Sequence, residues 1–378
     1  PADAEATPVV ISVWDSGVDT SIPAIKRQAW VNTAEIPDNG IDDDKNGFVD
    51  DVHGFAYDLD SLKVPAILQP IKARYGVEPS EWQVHAKGLD DLTSNIDSPE
   101  AADLRKYISG LPQESIQEFL ESLNLYSGYA HGTHVSGIAL EDNPFARLLV
   151  ARMTYNHTQL PRKPTIEEAH RSAAMFREAG RYFRESGVRV VNMSWGGSLR
   201  GIESALEAHN VGETPEARKA LAREIYDIES AGLREAIGGS PDILFITSAG
   251  NSDNDVKFEE FYPSSFEFPN IMSVGAVDIA GEETSFTSLG KVDVYANGFE
   301  VASYVPGGDR LAFSGTSMSS PQVTNLASKL LAIDPALTVA ELRQLILDGA
   351  DEKELESRTI KLMNPKASMA LLQARGVE

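Results

Sequence analysis

The chain has 378 residues, 42% of them hydrophobic, which is long for one domain but enough for a large core. Its 57 acidic against 33 basic side chains leave a net charge of −24, which argues against nucleic acid or an anionic membrane as a partner and suits a soluble protein that binds cations. It has no cysteine, so neither disulfides nor thiolate metal sites shape the fold, and no apolar run reaches membrane-spanning length.

The first predicted element is a strand over 9–14, a β-branched apolar run that ends at Asp15-Ser16-Gly17. An Asp after a strand is most often a turn former, so this signal is weak alone. Next comes the acidic stretch 39–51. Asp42, Asp44, Asn46, Gly47 and Asp50 follow the first nine positions of a calcium loop, with the carbonyl of Phe48 as the main-chain ligand. Position twelve is His53 rather than glutamate, so the loop is not a complete EF-hand. The expectation is structural Ca2+; the competing reading is a flexible acidic surface.

From 62 to 128 the chain reads as polar helices, such as 115–123, and is expected to be a helical insertion. His131-Gly-Thr-His134 follows. A zinc hydrolase needs the wider His-Glu-x-x-His spacing, which is absent. A strand is predicted over 148–153 and a helix over 165–186, opened by a capping box of Thr165 and Glu168. The strand at 188–194 ends in Ser194-Trp195-Gly196-Gly197. Charged helical segments then fill 199–239, including 216–236, and are expected to be a second insertion.

A strand at 243–248 leads into Ser248-Ala249-Gly250-Asn251, and strands follow at 271–277 and 292–296. Ser314-Gly-Thr-Ser317-Met-Ser-Ser-Pro321 precedes a helix over 322–331. That places the Ser317 hydroxyl near a helix amino terminus, where N–H groups favour developing negative charge. Thr338 with Glu341 caps the helix that runs to about 348, and Leu337 and Leu342 fall where a hydrophobic staple would. Strands alternating with helices predict an α/β fold with a mostly parallel central sheet and helices on both faces. Asp15, Ser194 and Asn251 all fall at carboxyl ends of predicted strands, where sites gather in such sheets.

A carboxylate, an imidazole and a hydroxyl in the order Asp15, His131, Ser317, with Asn251 upstream of the serine, resemble the subtilisin-like serine proteases. The likeness runs from about 9 to 372. It implies one catalytic domain over 1–378 with Ser317 as nucleophile, His131 as general base then acid, Asp15 orienting His131, and Asn251 as oxyanion donor. His134 would be structural. Ser194, Trp195 and Gly196 would form one wall of the main side-chain pocket, Ser248, Ala249 and Gly250 the other, and Phe261 the floor. A ring there shortens the pocket, whereas Glu259 or Glu260 would draw in a basic side chain; the expectation leans to apolar or medium-sized groups. The resemblance also implies protein or peptide substrates, a pro-segment acting as inhibitor of a zymogen, and a secreted, periplasmic or cell-envelope location. The chain starts at Pro1 with no secretory signal, as a processed or trimmed end would. The rival reading keeps the fold but not the activity: a silent binding or scaffold protein whose site the 62–128 insertion blocks. An α/β-hydrolase esterase fails on chain order and on the missing Gly-x-Ser-x-Gly elbow.

Overall fold

In the computed structural model the strand expected at 9–14 is β1 (Val9–Asp15), an interior strand of the sheet. The structure describes residues 6–71 and 79–375; parts of the expected 62–128 insertion and of the 1–378 domain, at 1–5, 72–78 and 376–378, lie outside them. After β1 come α1 (Pro23–Lys26), β2 (Gly54–Tyr57), β3 (Lys63–Val64), α2 (Pro79–Thr93), α3 (Pro99–Ser109), α4 (Gln113–Leu140), β4 (Ala146–Arg152), α5 (Ile166–Glu185) and β5 (Val190–Met193). The second half adds α6 (Leu199–Ala208), α7 (Pro215–Gly238), β6 (Leu244–Ser248), β7 (Ile271–Val277), β8 (Val294–Asn297), β9 (Val301–Tyr304) and β10 (Arg310–Phe313). It closes with α8 (Thr316–Ile333), α9 (Val339–Asp348), β11 (Asp351–Glu354), β12 (Thr359–Leu362) and α10 (Pro365–Arg375).

Ten strands form one sheet in the order β11-β12-β8-β7-β6-β5-β1-β4-β2-β3, and β9 pairs with β10 apart from it. Only the edge pairs β11–β12 and β2–β3 are antiparallel; the rest are parallel. Strands buried on both faces favour apolar residues along their length, which is why β6 and β7 read as mostly apolar runs. Along β1, side chains alternate between two cores. Ile11 and Val13 join residues of α4, α8 and α9, whereas Trp14 joins Phe176 and Phe183 of α5 and Leu233 of α7.

The two segments expected to be insertions are both tied into the rest of the fold. Residues 199–239 carry α6 and α7. β5 and β6 are adjacent and parallel, so the chain must cross over between them, and α7 is that crossover helix. It packs on α5 so closely that a Cβ at Gly232 would lie 2.5 Å from the Ala173 Cα. The 62–128 segment, in turn, has no boundary at 128. α4 runs unbroken from Gln113 to Leu140, so one helix carries both the end of that segment and the His131 stretch. Its first turns join α2 and α3 in a separate small core around Leu104, Phe119 and Leu123.

The helix caps follow from the sequence. The Thr165 side chain accepts from the Glu168 N–H, and Thr338 with Glu341 forms a reciprocal capping box.

Candidate active site

The carboxyl ends of β1, β5 and β6 bring Asp15, Ser194 and Ser248 to one edge of the sheet. Asp15 is buried, and its Oδ1 accepts from the backbone N–H of Ser16 at 2.7 Å and meets Nδ1 of His131 at 2.7 Å. That contact fixes a proton on Nδ1 and leaves Nε2 to accept. Burial works to lower the pKa of His131, but the charge of Asp15, the hydrogen bond to it and the charge of Asp90 outweigh this, and the net shift is upward. The His131 side chain keeps 29% of its surface exposed, so its ring is reachable from solvent.

Two short motifs are explained by one contact. Gly132 follows His131 and packs on Gly17, where a Cβ would stand 2.3 Å from the Gly17 carbonyl oxygen. The Gly132 N–H donates to Ser16 Oγ at 2.9 Å, and the Asp19 N–H donates to Thr133 Oγ1 at 3.0 Å. The Asp-Ser-Gly and His-Gly-Thr stretches therefore knit α4 to the end of β1. His134 lies inside, bonded to the Leu311 carbonyl at 3.0 Å and packed against Phe313, and burial drives its pKa down to about 3. It is neutral across the physiological range.

Ser317 sits in the first turn of α8, after Gly315. Its hydroxyl donates to the Ser194 carbonyl at 3.2 Å, so its single proton points there and not to His131. Catalytic hydrogen bonds of resting sites commonly form only when substrate is bound. Pro321, inside α8, has no N–H for the carbonyl of Ser317 four residues back; Ser194 Oγ donates to that carbonyl instead, at 2.9 Å. Ser194 Oγ also accepts from Asn192 Nδ2 at 2.9 Å and meets Ser320 Oγ at 2.8 Å. A buried polar network thus fixes the start of the helix.

Asn251, exposed after β6, is oriented by a residue the sequence reading missed. Its Oδ1 accepts from both the N–H and the hydroxyl of Thr316, at 2.9 and 2.8 Å, and Thr316 Oγ1 accepts from the Gly250 N–H at 3.1 Å. With Oδ1 taken, Nδ2 is left to donate. Thr316 adjoins the nucleophile candidate in Ser-Gly-Thr-Ser, and its hydroxyl was the available signal.

The pocket candidates are placed less simply. Gly196 and Gly250 both approach Phe261: a Cβ would stand 2.4 Å from its ring at Gly196 and 3.6 Å at Gly250. The ring lies between the two expected walls. Gly197 and Tyr262 exchange backbone hydrogen bonds of 2.9 and 2.8 Å, which closes the floor. Ala249 is fully buried and Ser248 nearly so. Trp195 turns its ring away to pack on Trp14 and Phe176 at 5.3 and 5.9 Å, which leaves its backbone for a ligand. Glu260 is paired with Arg223 at 2.7 Å and Glu259 lies 3.9 Å from Arg200, so neither is an unpaired charge at the floor.

In the acidic loop, the expected Asp42 and Asp44 are joined by a carboxylate from upstream. Glu35, Asp42 and Asp44 bring carboxylate oxygens within 4.8 Å of one another. Glu35 is buried, its Oε1 accepts from the N–H groups of Asp43 and Asp44, and its Oε2 has no hydrogen-bond partner among the described residues. Burial pushes its pKa up, against those two N–H groups. Asp50 accepts from the N–H groups of Asn39 and Gly40 and Asn46 Oδ1 from the Phe48 N–H, while Asp42 accepts from the N–H groups of Asn46 and Gly47 and Asp44 from that of Asn46, so all four also hold the loop's own turns. The EF-hand pattern counts forward from Asp42 and so cannot find Glu35, which the chain supplies from upstream. Hard carboxylate donors with an orphaned buried oxygen fit a calcium ion.

Among known proteins, the model of the subtilase family matches residues 6–363. The chain is 30% identical over 225 residues to the thermophilic serine proteinase of Bacillus sp. (strain AK1), a match covering 59% of this chain and 47% of that one. It is 28% identical over 233 residues to subtilisin DY of Bacillus licheniformis, covering 61% and 73%. The match thus spans about half of the first relative and most of the second. Among solved structures, the subtilase cytotoxin SubAB is similar with a TM-score of 0.54 and 15% identity, over 98% of this chain and 91% of that one. A cold adapted subtilisin-like serine proteinase follows at 0.52 and 16%, over 95% and 89%. At these identities the likeness establishes the α/β fold.

Proposed function

The chain belongs to the subtilase family, a family of serine proteases, and we propose that it is an endopeptidase that cleaves peptide bonds through an acyl-enzyme on Ser317. The observation that carries this is the buried Asp15–His131 contact of 2.7 Å at the end of β1, two strands from the end of β6 after which Asn251 lies, with Ser317 bonded to the Ser194 carbonyl after the intervening β5. In this reading Ser317 Oγ forms a bond to the substrate carbonyl carbon as its proton passes to His131 Nε2. The carbonyl electrons move onto oxygen, which is met by Asn251 Nδ2 and the Ser317 N–H. His131 then gives its proton to the departing amine, and water repeats the sequence to free the acid. Asp15 holds the ring and balances the imidazolium.

The pocket favours small side chains next to the scissile bond. The Phe261 ring fills the space between Gly196 and Gly250, and the paired Glu259 and Glu260 offer no free charge to a basic group. Glu35, Asp42 and Asp44 would hold a structural Ca2+, which would offset their mutual repulsion and stabilise the folded form by mass action. Inhibition by a pro-segment and a secreted or cell-envelope location rest on the family alone; among the described residues no helix is long and apolar enough to cross a membrane.

A fluorophosphonate tests the chemistry directly. It should label Ser317 in the wild type and not in Ser317→Ala, and casein should be hydrolysed by the first only. Equal hydrolysis by both, or a folded wild type that resists the probe, would leave the silent scaffold. Exposure of Asn251 and of the His131 ring argues for activity.

A further inference from the structure

We propose that Asp90, a carboxylate brought in by the 62–128 insertion, is a positioning residue of the active site: it holds the segment leading to Ser317 and places a second negative charge beside His131. This rests on the serine-protease reading of the same site.

The geometry starts at Ser314, three residues before Ser317. Its N–H donates to Asp90 Oδ2 at 2.7 Å, and its carbonyl accepts from Ser94 Oγ at 3.3 Å. Asp90 lies in the last turn of α2 and Ser94 directly after its end, where the Ser94 N–H donates to the Asp90 carbonyl at 3.0 Å, so the end of that helix grips both backbone groups of Ser314. The Ser314 hydroxyl accepts from the Glu300 N–H at 3.0 Å, and Lys87 of the same helix pairs with the Glu300 carboxylate at 2.7 Å and with Asp91. The insertion is thereby fastened on either side of the turn that delivers the nucleophile.

A neutral asparagine could make the same bond to Ser314 without the cost of desolvating a charge. A carboxylate there is favoured by positive charge, which Lys87 supplies first and His131, also within electrostatic range, second. The charged or titratable groups that act on His131 are Asp15 from β1 and Asp90 from α2; His134, on its own helix, is neutral. Those that act on Asp90 are Lys87 and Asp91 of its own helix and His131 of α4. Burial pushes Asp90 up to about 7, against the Ser314 N–H and the charge of Lys87. The charges of Asp90 and His131 therefore act on each other, and in this proposal the imidazolium formed when Ser317 loses its proton is faced by Asp15 and by Asp90. The insertion then serves the chemistry as well as the surface.

The test is the rate of fluorophosphonate labelling of Ser317 from about pH 5 to pH 9, in wild type, Asp90→Asn and Ser94→Ala. Asparagine keeps an acceptor for the Ser314 N–H but removes the charge. Its acid limb should move down by roughly 1 pH unit. Ser94→Ala loosens the grip on Ser314 but keeps the charge, and its limb should stay with the wild type. Coincident limbs in wild type and Asp90→Asn, or an equal shift in Ser94→Ala, would overturn the proposal. Should Asp90→Asn fail to fold, an NMR titration of the His131 ring in the wild type decides. Two coupled steps support the pair, and a single step denies it. Absence of labelling in the wild type at every pH would instead condemn the protease reading, and the ring titration would still report on Asp90.

Discussion

Gly132 packs against Gly17 so closely that a Cβ on Gly132 would lie 2.3 Å from the Gly17 carbonyl oxygen, and this contact sets where the His131 ring stands relative to Asp15. Gly132→Ala should push α4 away from β1. The expected cost is about 1–3 kcal/mol of stability, as for other overpacked sites, with a larger loss in labelling of Ser317. Thermal melts and probe labelling on one sample check both.

Removing single groups should give graded losses. Ser317→Ala should lower turnover by about 10⁶-fold and Asn251→Ala by about 10²–10³-fold, the sizes found for the corresponding groups of subtilisin. Thr316→Val should act through Asn251, because the amide loses its hydroxyl donor. It should lower kcat more than it raises KM, which steady-state kinetics on a peptide substrate would show.

The pH dependence follows from His131. Its pKa is raised above the ordinary 6.5, and in the proposed mechanism only the neutral ring accepts the Ser317 proton. Activity should therefore fall as pH drops through a value above 6.5. The stability contribution runs the other way. Protonation is favoured in the fold, so this stabilisation is full below the unfolded pKa and is lost as pH rises through the folded one. A pH–rate profile set beside melting temperatures at the same pH values would expose the opposition.

Phe261→Ala should open the pocket between Gly196 and Gly250. Discrimination between alanine and phenylalanine next to the scissile bond should shift toward phenylalanine by at least about tenfold in kcat/KM. Cleavage profiling of a peptide library by both forms reads the change; identical profiles would mean that this ring does not bound the pocket.

Glu35→Gln should split the behaviour of the acidic loop. With chelator it should raise the melting temperature, since the raised pKa of Glu35 shows its ionised form to be disfavoured in the fold at neutral pH. With added Ca2+ it should lose most of the stabilisation seen in the wild type. Differential scanning calorimetry with and without chelator measures both effects, and no Ca2+ response in the wild type would remove the ion from the account.

The sequence alone carried the sheet strands 9–14, 243–248 and 271–277, because strands covered on both faces leave mostly apolar runs, broken here only by small hydroxyl residues such as Ser12, Thr247 and Ser273. It carried the caps at Thr165 and Thr338 because capping is local. It did not carry β11, whose Asp-Glu-Lys-Glu is exposed on an antiparallel edge, where charge blunts further pairing and erases the apolar signal. Nor did it show that 199–239 is a crossover, since only the adjacency of β5 and β6 demands one.

The candidate set Asp15, His131, Asn251 and Ser317 was proposed from sequence because acyl transfer requires those side-chain types and each sits in a short stretch of distinctive neighbours; the structure adds the contact between Asp15 and His131. Thr316, Glu35 and Asp90 were decided by the tertiary structure. Each matters through what it touches or faces across the fold: the Asn251 amide, the Asp42–Asp44 carboxylates, and the backbone of Ser314 with the ring of His131. Hydrogen bonds and charges act over a few ångströms of space, and the separation of residues along a chain does not reveal that distance.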